Sequence, residues 1–289
     1  MISHPGIKLN LGLRVLGKRP DGYHDLETVF YPCDAFCDTL EIITGDDYSR
    51  TSASLFERYD ASEIVQGLSP DGSVMITVAR ECGVSWDPLK DLTVRAVHLL
   101  AERFKLPALK IFLEKSSPVG AGLGGGSADG AFALTMINEL CSLGLSEAEL
   151  ATLATSLGSD CAFFVYNRPM LGTGRGEVLT PVALDLSAYD VRVVVPEGIS
   201  VSTAEAYRLL QRPSVTPGGN PVTLGPVLSR PVVEWKDFLV NDFEAPVFAI
   251  HPALAEIKDA LYTEGALYAA MSGSGSALYG IFAREGRSQ

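Results

Sequence analysis

The sequence predicts an α+β protein of two domains, and three observations carry that prediction. Its 289 residues are more than one ordinary core needs. Apolar periods of two and of 3.6 residues follow one another without a regular strand–helix repeat. A glycine-rich stretch, Pro118 to Ala128, lies between an apolar strand and a helix rather than in a linker. The expected division is residues 1–166 and 167–289.

Each element follows from its local pattern. Ile7, Leu9, Leu11, Leu13 and Val15 alternate with Lys8, Asn10, Gly12 and Arg14, which predicts a half-buried strand with Lys8 and Asn10 on its outward face. Lys18 to Gly22 is a turn with proline and glycine in the expected order. Leu26 to Pro32 and Thr39 to Thr44 read as further strands. Residues 45–73 are polar and aperiodic and predict no element. Asp91 to Arg103 reads as a helix and Leu109 to Leu113 as a strand. Ala128 to Leu140 reads as a helix with Ser127 at its N-cap; Gly130 should weaken it by about 1 kcal/mol relative to alanine. Ser146 and Glu149 form a capping box opening a helix that Gly158 stops. Val191 to Pro196 predicts a buried strand. Ser202 and Glu205 form a second capping box, for a helix through Leu210. Gln211 to Pro231 is rich in Pro, Gly and Ser and reads as a loop. Pro252 to Tyr262 is a helix, followed by a glycine loop at 272–276 and a strand from Ala277 to Phe282.

Bulk properties exclude several classes. Apolar residues make up 47% and charged residues 20%, an ordinary globular balance. No apolar run approaches the ~18 residues of a membrane span. The stretch MISHPGIKLN lacks the basic start and apolar core of a signal peptide, so a cytoplasmic protein is expected. A net charge of -12 argues against a general nucleic-acid binder. The five cysteines (Cys33, Cys37, Cys82, Cys141, Cys161) are scattered without zinc spacing, and read as reduced thiols.

The glycine stretch PVGAGLGGGSA is built to receive a phosphate. Without Cβ atoms the main chain can approach an anion closely. Successive N–H groups form a concave nest, and the following helix directs its N-terminus at the bound group. A Walker loop is excluded, because Ser127 follows Gly126 directly and no lysine occurs between Lys115 and Lys236. Gly120 to Gly125 satisfy a dinucleotide pattern, but Ser146 to Leu157, where the ribose-binding carboxylate would end a strand, looks helical.

The loop instead resembles the P-x-x-x-G-L-G-[GS]-[GS]-S-[AS] signature of the GHMP kinases (galactokinase, homoserine kinase, mevalonate kinase, phosphomevalonate kinase). Met271 to Phe282 is similar to that family's second glycine loop. Ile7 to Phe30 and Leu157 to Val165 resemble the branch acting on 4-diphosphocytidyl-2-C-methyl-D-erythritol. The resemblance is weakest near 45–90 and 212–240.

It implies the two-domain GHMP kinase fold, with an N-terminal ribosomal-S5-like ATP-binding domain, a C-terminal α/β sandwich domain and the active site in the cleft between them. It implies an enzyme transferring phosphate from ATP, with Mg2+, to the 2-hydroxyl of that cytidine diphosphate alcohol in non-mevalonate isoprenoid synthesis. Its partners would be small molecules only, with no nucleic acid or membrane, and the chain a monomer or homodimer. Another GHMP small-molecule kinase, or a nucleotide-binding sensor without catalysis, stays open.

The resemblance also assigns residues. Pattern alone makes Lys8 a solvated strand lysine and Asp160 a helix cap; by resemblance Lys8 and Asp160 are the catalytic pair, with Asp160 the general base. Pro118, Gly120, Gly122, Leu123, Gly124, Gly125, Gly126 and Ser127 would bind the triphosphate. Ser127 and Asp160 are the oxygen groups available to magnesium, and its full ligand set stays open. Tyr23 would stack on the cytosine, His24 would bind its edge and Tyr207 would supply the second aromatic. Asn10, Ser272, Gly273 and Gly275 would border the substrate. Tyr23 and His24 read equally well as a surface aromatic and a solvated histidine. Three departures stand out: Cys161-Ala162 for valine-proline, SVSTAEAY before Tyr207, and Ala128 with Gly130 after the loop serine.

Overall fold

The computed structural model describes residues 1–45, 47–210 and 224–284. The chain forms two compact units, Met1–Ile7 with Phe36–Ser117 and Gly124–Asn167, and Lys8–Ala35 with Pro118–Leu123 and Arg168–Gln289. The chain passes from one unit to the other after Ile7, Ala35, Ser117, Leu123 and Asn167.

The first unit is built on a five-stranded sheet. Its strands run in the order Ile2–Ser3, Thr39–Thr44, Leu109–Glu114, Val74–Ala79, Ile64–Leu68. Thr39–Thr44 pairs antiparallel with Leu109–Glu114, which pairs parallel with Val74–Ala79. The helix Leu92–Ala101 begins where the Asp91 carboxylate accepts the Thr93 N–H at 2.9 Å, a side-chain N-cap. The helix Gly125–Leu140 is buried on most of its circumference, as its run of Ala, Leu, Met and Ile requires. Gly130 is the close-approach point on it. A Cβ there would lie 2.8 Å from Leu92 Cβ, so glycine serves packing as well as costing helix propensity. The capping box at Ser146 forms, but its helix, Glu147–Ala154, ends before Gly158.

Residues 45–73 do hold elements, a helix Ser52–Arg58 and the strand Ile64–Leu68. The helix depends on a distant group. The buried Glu41 carboxylate accepts from the Ser49 and Thr51 hydroxyls and the Arg50 and Thr51 N–H groups. No local periodicity announces such an anchor.

The second unit has two sheets. One orders Ile7–Lys18, His24–Cys33, Met170–Thr173, Val178–Pro181; the other orders Tyr189–Val194, Leu278–Ala283, Tyr268–Met271. Tyr189–Val194 is an edge strand with no fully buried residue, in place of the buried strand expected at Val191 to Pro196. A core of Leu13, Val15, Phe243, Val247, Leu254, Leu261 and Met271 joins the sheets to the helices Glu244–Ile250 and Pro252–Thr263. Ser202 caps the helix Thr203–Leu209 by accepting the Glu205 N–H at 3.1 Å. Of the loop expected at 211–231, residues 211–223 lie outside the described residues, and Leu224–Leu228 is a short helix.

Candidate functional site

Within the second unit, the strand Ile7–Lys18 is buried on both faces over its first seven residues. Lys8 is 4% and Asn10 2% exposed, so the outward face predicted for them is covered. The cover is the 272–276 loop and the Phe30 ring. A Cβ on Gly273 would lie 3.5 Å from Lys8 Nζ and 3.1 Å from Asn10 Oδ1, and Lys8 Nζ lies 5.4 Å from the Phe30 ring centre. Lys8 Nζ donates to Asn10 Oδ1 at 2.5 Å, and Asn10 Nδ2 donates to Thr28 Oγ1 at 3.0 Å. The Asn10 N–H donates to Ser272 Oγ at 3.2 Å. These bonds orient the ammonium against Asn10.

The two glycine loops meet backbone to backbone. A Cβ on Gly122 would lie 2.7 Å from the Ser272 carbonyl oxygen and 3.0 Å from that of Gly275. Gly122 also has φ +78°, a region only glycine enters cheaply. The Ala277 N–H donates to the Ala121 carbonyl, and the Lys8 N–H to that of Leu123 at 2.9 Å. Asn241, which no sequence pattern marks, holds the second loop. Its Nδ2 donates to the Met271 and Gly273 carbonyls at 2.7 and 2.8 Å.

The predicted base-binding aromatics are arranged differently from a simple pair of platforms. His24 stacks on Tyr207, with ring centres 4.6 Å apart and planes 15° apart. Tyr23 is 57% exposed and carries the Arg175 guanidinium 4.7 Å from its ring centre.

In the first unit, the helix Gly125–Leu140 has Gly124 as its N-cap, at φ +75° and with no side-chain cap. Ser127 is therefore inside the first turn and is not the N-cap. With glycine at the cap, no side chain caps the positive end of the helix dipole. Ser127 instead hydrogen-bonds Cys161, whose thiol burial pushes up to about 11. Asp160 stands at the N-cap position of the helix Cys161–Tyr166, as expected of a helix-start aspartate, with no hydrogen bond from its side chain to the helix N–H groups.

Also in the first unit, Lys115, Asp38, Ser117 and Asp129 form a charged cluster that no sequence pattern marks. Lys115, with its side chain 3% exposed, donates to Asp38, to Asp129 at 2.6 Å and to Ser117 at 3.0 Å. Asp38 also accepts the Ser116 and Ser117 N–H groups and the Ser117 hydroxyl, each at 2.7 Å. Burial opposes the charge on Asp38, yet Lys115 and Ser117 hold its carboxyl below the ordinary value. Burial, aided by the charge on Asp38, holds Asp129 well above it despite Lys115. Asp129 Oδ1 has no hydrogen-bond partner among the described residues. Gly125 seats the helix on this cluster, since a Cβ there would lie 2.2 Å from Ser117 Oγ. The lone signal in the sequence was a lysine three residues before Pro118, indistinguishable from a solvated one.

Comparison with known proteins decides the family. The model of the GHMP kinases N terminal domain matches residues 91–168, and that of the GHMP kinases C terminal matches residues 232–289. The 4-diphosphocytidyl-2-C-methyl-D-erythritol kinase of Parabacteroides distasonis is 42% identical over 282 residues, 98% of this chain and 92% of the relative. The chain belongs to the GHMP kinase family. The enzyme of the same name from Bacteroides thetaiotaomicron is 42% identical over 286 residues, 99% of this chain and 93% of the relative. A crystal structure of 4-(cytidine 5'-diphospho)-2C-methyl-D-erythritol kinase superposes with a TM-score of 0.71 at 28% identity, covering 97% of this chain and 90% of that one. The α+β GHMP kinase fold predicted from the glycine loops is the fold of this chain. Among the described residues no helix is long and apolar enough to cross a membrane.

Proposed function

We propose that this chain transfers the γ-phosphoryl group of ATP to the 2-hydroxyl of 4-diphosphocytidyl-2-C-methyl-D-erythritol, a step of non-mevalonate isoprenoid synthesis. The observation that carries the reading is the buried Lys8 ammonium, oriented by Asn10 beneath two interlocked glycine loops, in a chain 42% identical to kinases of that name.

Gly120, Gly122, Leu123, Gly124, Gly125, Gly126 and Ser127 take the triphosphate on main-chain N–H groups, and Pro118, which has no N–H to donate, starts the loop that binds it. The hydroxyl oxygen of the alcohol attacks the γ-phosphorus, the bond to the β-phosphate oxygen breaks, and ADP leaves. Asp160 accepts the hydroxyl proton as the new bond forms. Lys8 stabilises the charge that develops on the reacting oxygens. Asn10 orients Lys8 and, with Ser272, Gly273 and Gly275, borders the erythritol and diphosphate. Tyr23, His24 and Tyr207 receive the cytosine, whose stacking contributes about 1–3 kcal/mol per base.

Magnesium fits as a partner of the nucleotide rather than as a resident ion. Among the described residues no group of three His, Cys, Asp or Glu side chains could hold a metal. The Ser127 hydroxyl and the Asp160 carboxylate flank Cys161 and are the hard oxygen donors beside the loop. They would hold an ion already carried by the phosphates, which supplies neutralisation of the transferred charge.

Asp160→Asn tests the mechanism. ATP should bind with near-normal affinity while turnover of the cytidine diphosphate alcohol falls by orders of magnitude. Unchanged turnover overturns the base assignment. Thermal stabilisation by homoserine, with none by CDP, overturns the substrate.

A further inference from the structure

We infer that Arg175 is a positioning residue for the diphosphocytidyl group, acting by holding the Tyr23 ring as a fixed platform. The inference rests on the proposed role of Tyr23. Arg175 stands in the turn between the strands Met170–Thr173 and Val178–Pro181, and this turn is firmly built. Gly174 and Gly176 take φ of +68° and +106°, and the Gly176 N–H donates to the Thr173 carbonyl at 3.0 Å. The Leu26 N–H donates to the Gly174 carbonyl at 2.7 Å, which ties the turn to the strand that follows Tyr23.

Close packing fixes the hairpin further. A Cβ on Gly172 would lie 2.5 Å from the Phe30 ring, the same ring that faces Lys8. The Glu177 carboxylate accepts the Arg175 N–H at 2.5 Å and stands 3.6 Å from the guanidinium. The guanidinium then lies over one face of Tyr23. A planar cation on one face restrains the ring and leaves the other face for a pyrimidine. Arg19, the neighbouring cation, is instead engaged by Asp21 and Asp25.

Steady-state kinetics on the full chain test this. Arg175→Ala should raise KM for the cytidine diphosphate alcohol about fivefold, with kcat and the KM for ATP little changed. Arg175→Lys keeps the charge but not the planar stack and should fall between. In a cycle with Tyr23→Ala, the double variant should be no worse than Tyr23→Ala alone, which a merely structural arginine would not produce. If Tyr23→Ala raises KM while Arg175→Ala does not, or the two effects multiply, the inference fails. If Tyr23→Ala leaves KM unchanged, the base-platform reading fails with it.

Discussion

Replacing Lys115 with methionine keeps most of the packing volume and removes the cation from its cluster with Asp38, Ser117 and Asp129. Two carboxylates with 1% side-chain exposure are then left behind. Asp38 retains three donors, the N–H groups of Ser116 and Ser117 and the Ser117 hydroxyl. Asp129 loses the Lys115 bond and can regain neutrality by binding a proton. Removing one partner of a buried ion pair costs about 3–5 kcal/mol. The surviving donors and the available protonation place Lys115→Met at the low end, about 3 kcal/mol. Urea unfolding at pH 7 measures it.

Adding Asp129→Asn should restore about 1 kcal/mol, because an amide is neutral without a proton. The pH dependence has a definite sign. Asp129 is raised in the folded state, so its favourable contribution is full below the ordinary carboxylate range and is lost as pH rises through its folded value. Asp38 is lowered, so its contribution is present above that range and lost on acidification. Asp129→Asn alone should therefore flatten the decline in stability as pH rises from the carboxylate range toward neutrality. A Lys115→Met loss under ~1 kcal/mol, or a deeper loss with Asp129→Asn added, would refute the electrostatic account.

Two glycines give further tests. Gly122→Ala combines the left-handed penalty of about 1–2 kcal/mol with an overpacking cost of about 1–3 kcal/mol, because the contacts are main-chain carbonyls. Urea unfolding should show a loss of about 2–5 kcal/mol and kinetics a raised KM for ATP; normal values for both would show that the loops do not depend on each other. Gly130→Ala should destabilise by about 1 kcal/mol, since Leu92 Cβ is fixed to its helix and overpacking outweighs the propensity gain. A more stable variant in the same unfolding assay would mean that the helices separate without cost.

What could be read in the sequence was whatever local pattern controls. Alternation marked the strand carrying Lys8, the serine caps at 146 and 202 marked helix starts, and the glycine runs marked both loops. Long-range partners were out of reach. Asp38 is 77 residues from Lys115, and Asn241 reaches a loop 30 residues away. The helix Ser52–Arg58 hangs on Glu41, and nothing in its own composition declares it. Serine favours a helix cap, which predicts Ser127 there, whereas the left-handed Gly124 takes the position. Burial of Lys8 was equally hidden, since alternation cannot say that a distant loop will roof the polar side of a strand.

The glycines between residues 120 and 126 are small for different reasons, and one has no reason within the polypeptide. Gly122 and Gly124 answer to backbone torsion, and Gly125 to the serine beside it. At Gly126 φ is not positive, and apart from its own helix backbone and chain neighbours nothing lies within 4 Å of an added Cβ. A methyl group added there would burden neither folding nor neighbours. That makes position 126 a clean reporter, at which a change in nucleotide affinity would speak for the guest and not for the scaffold.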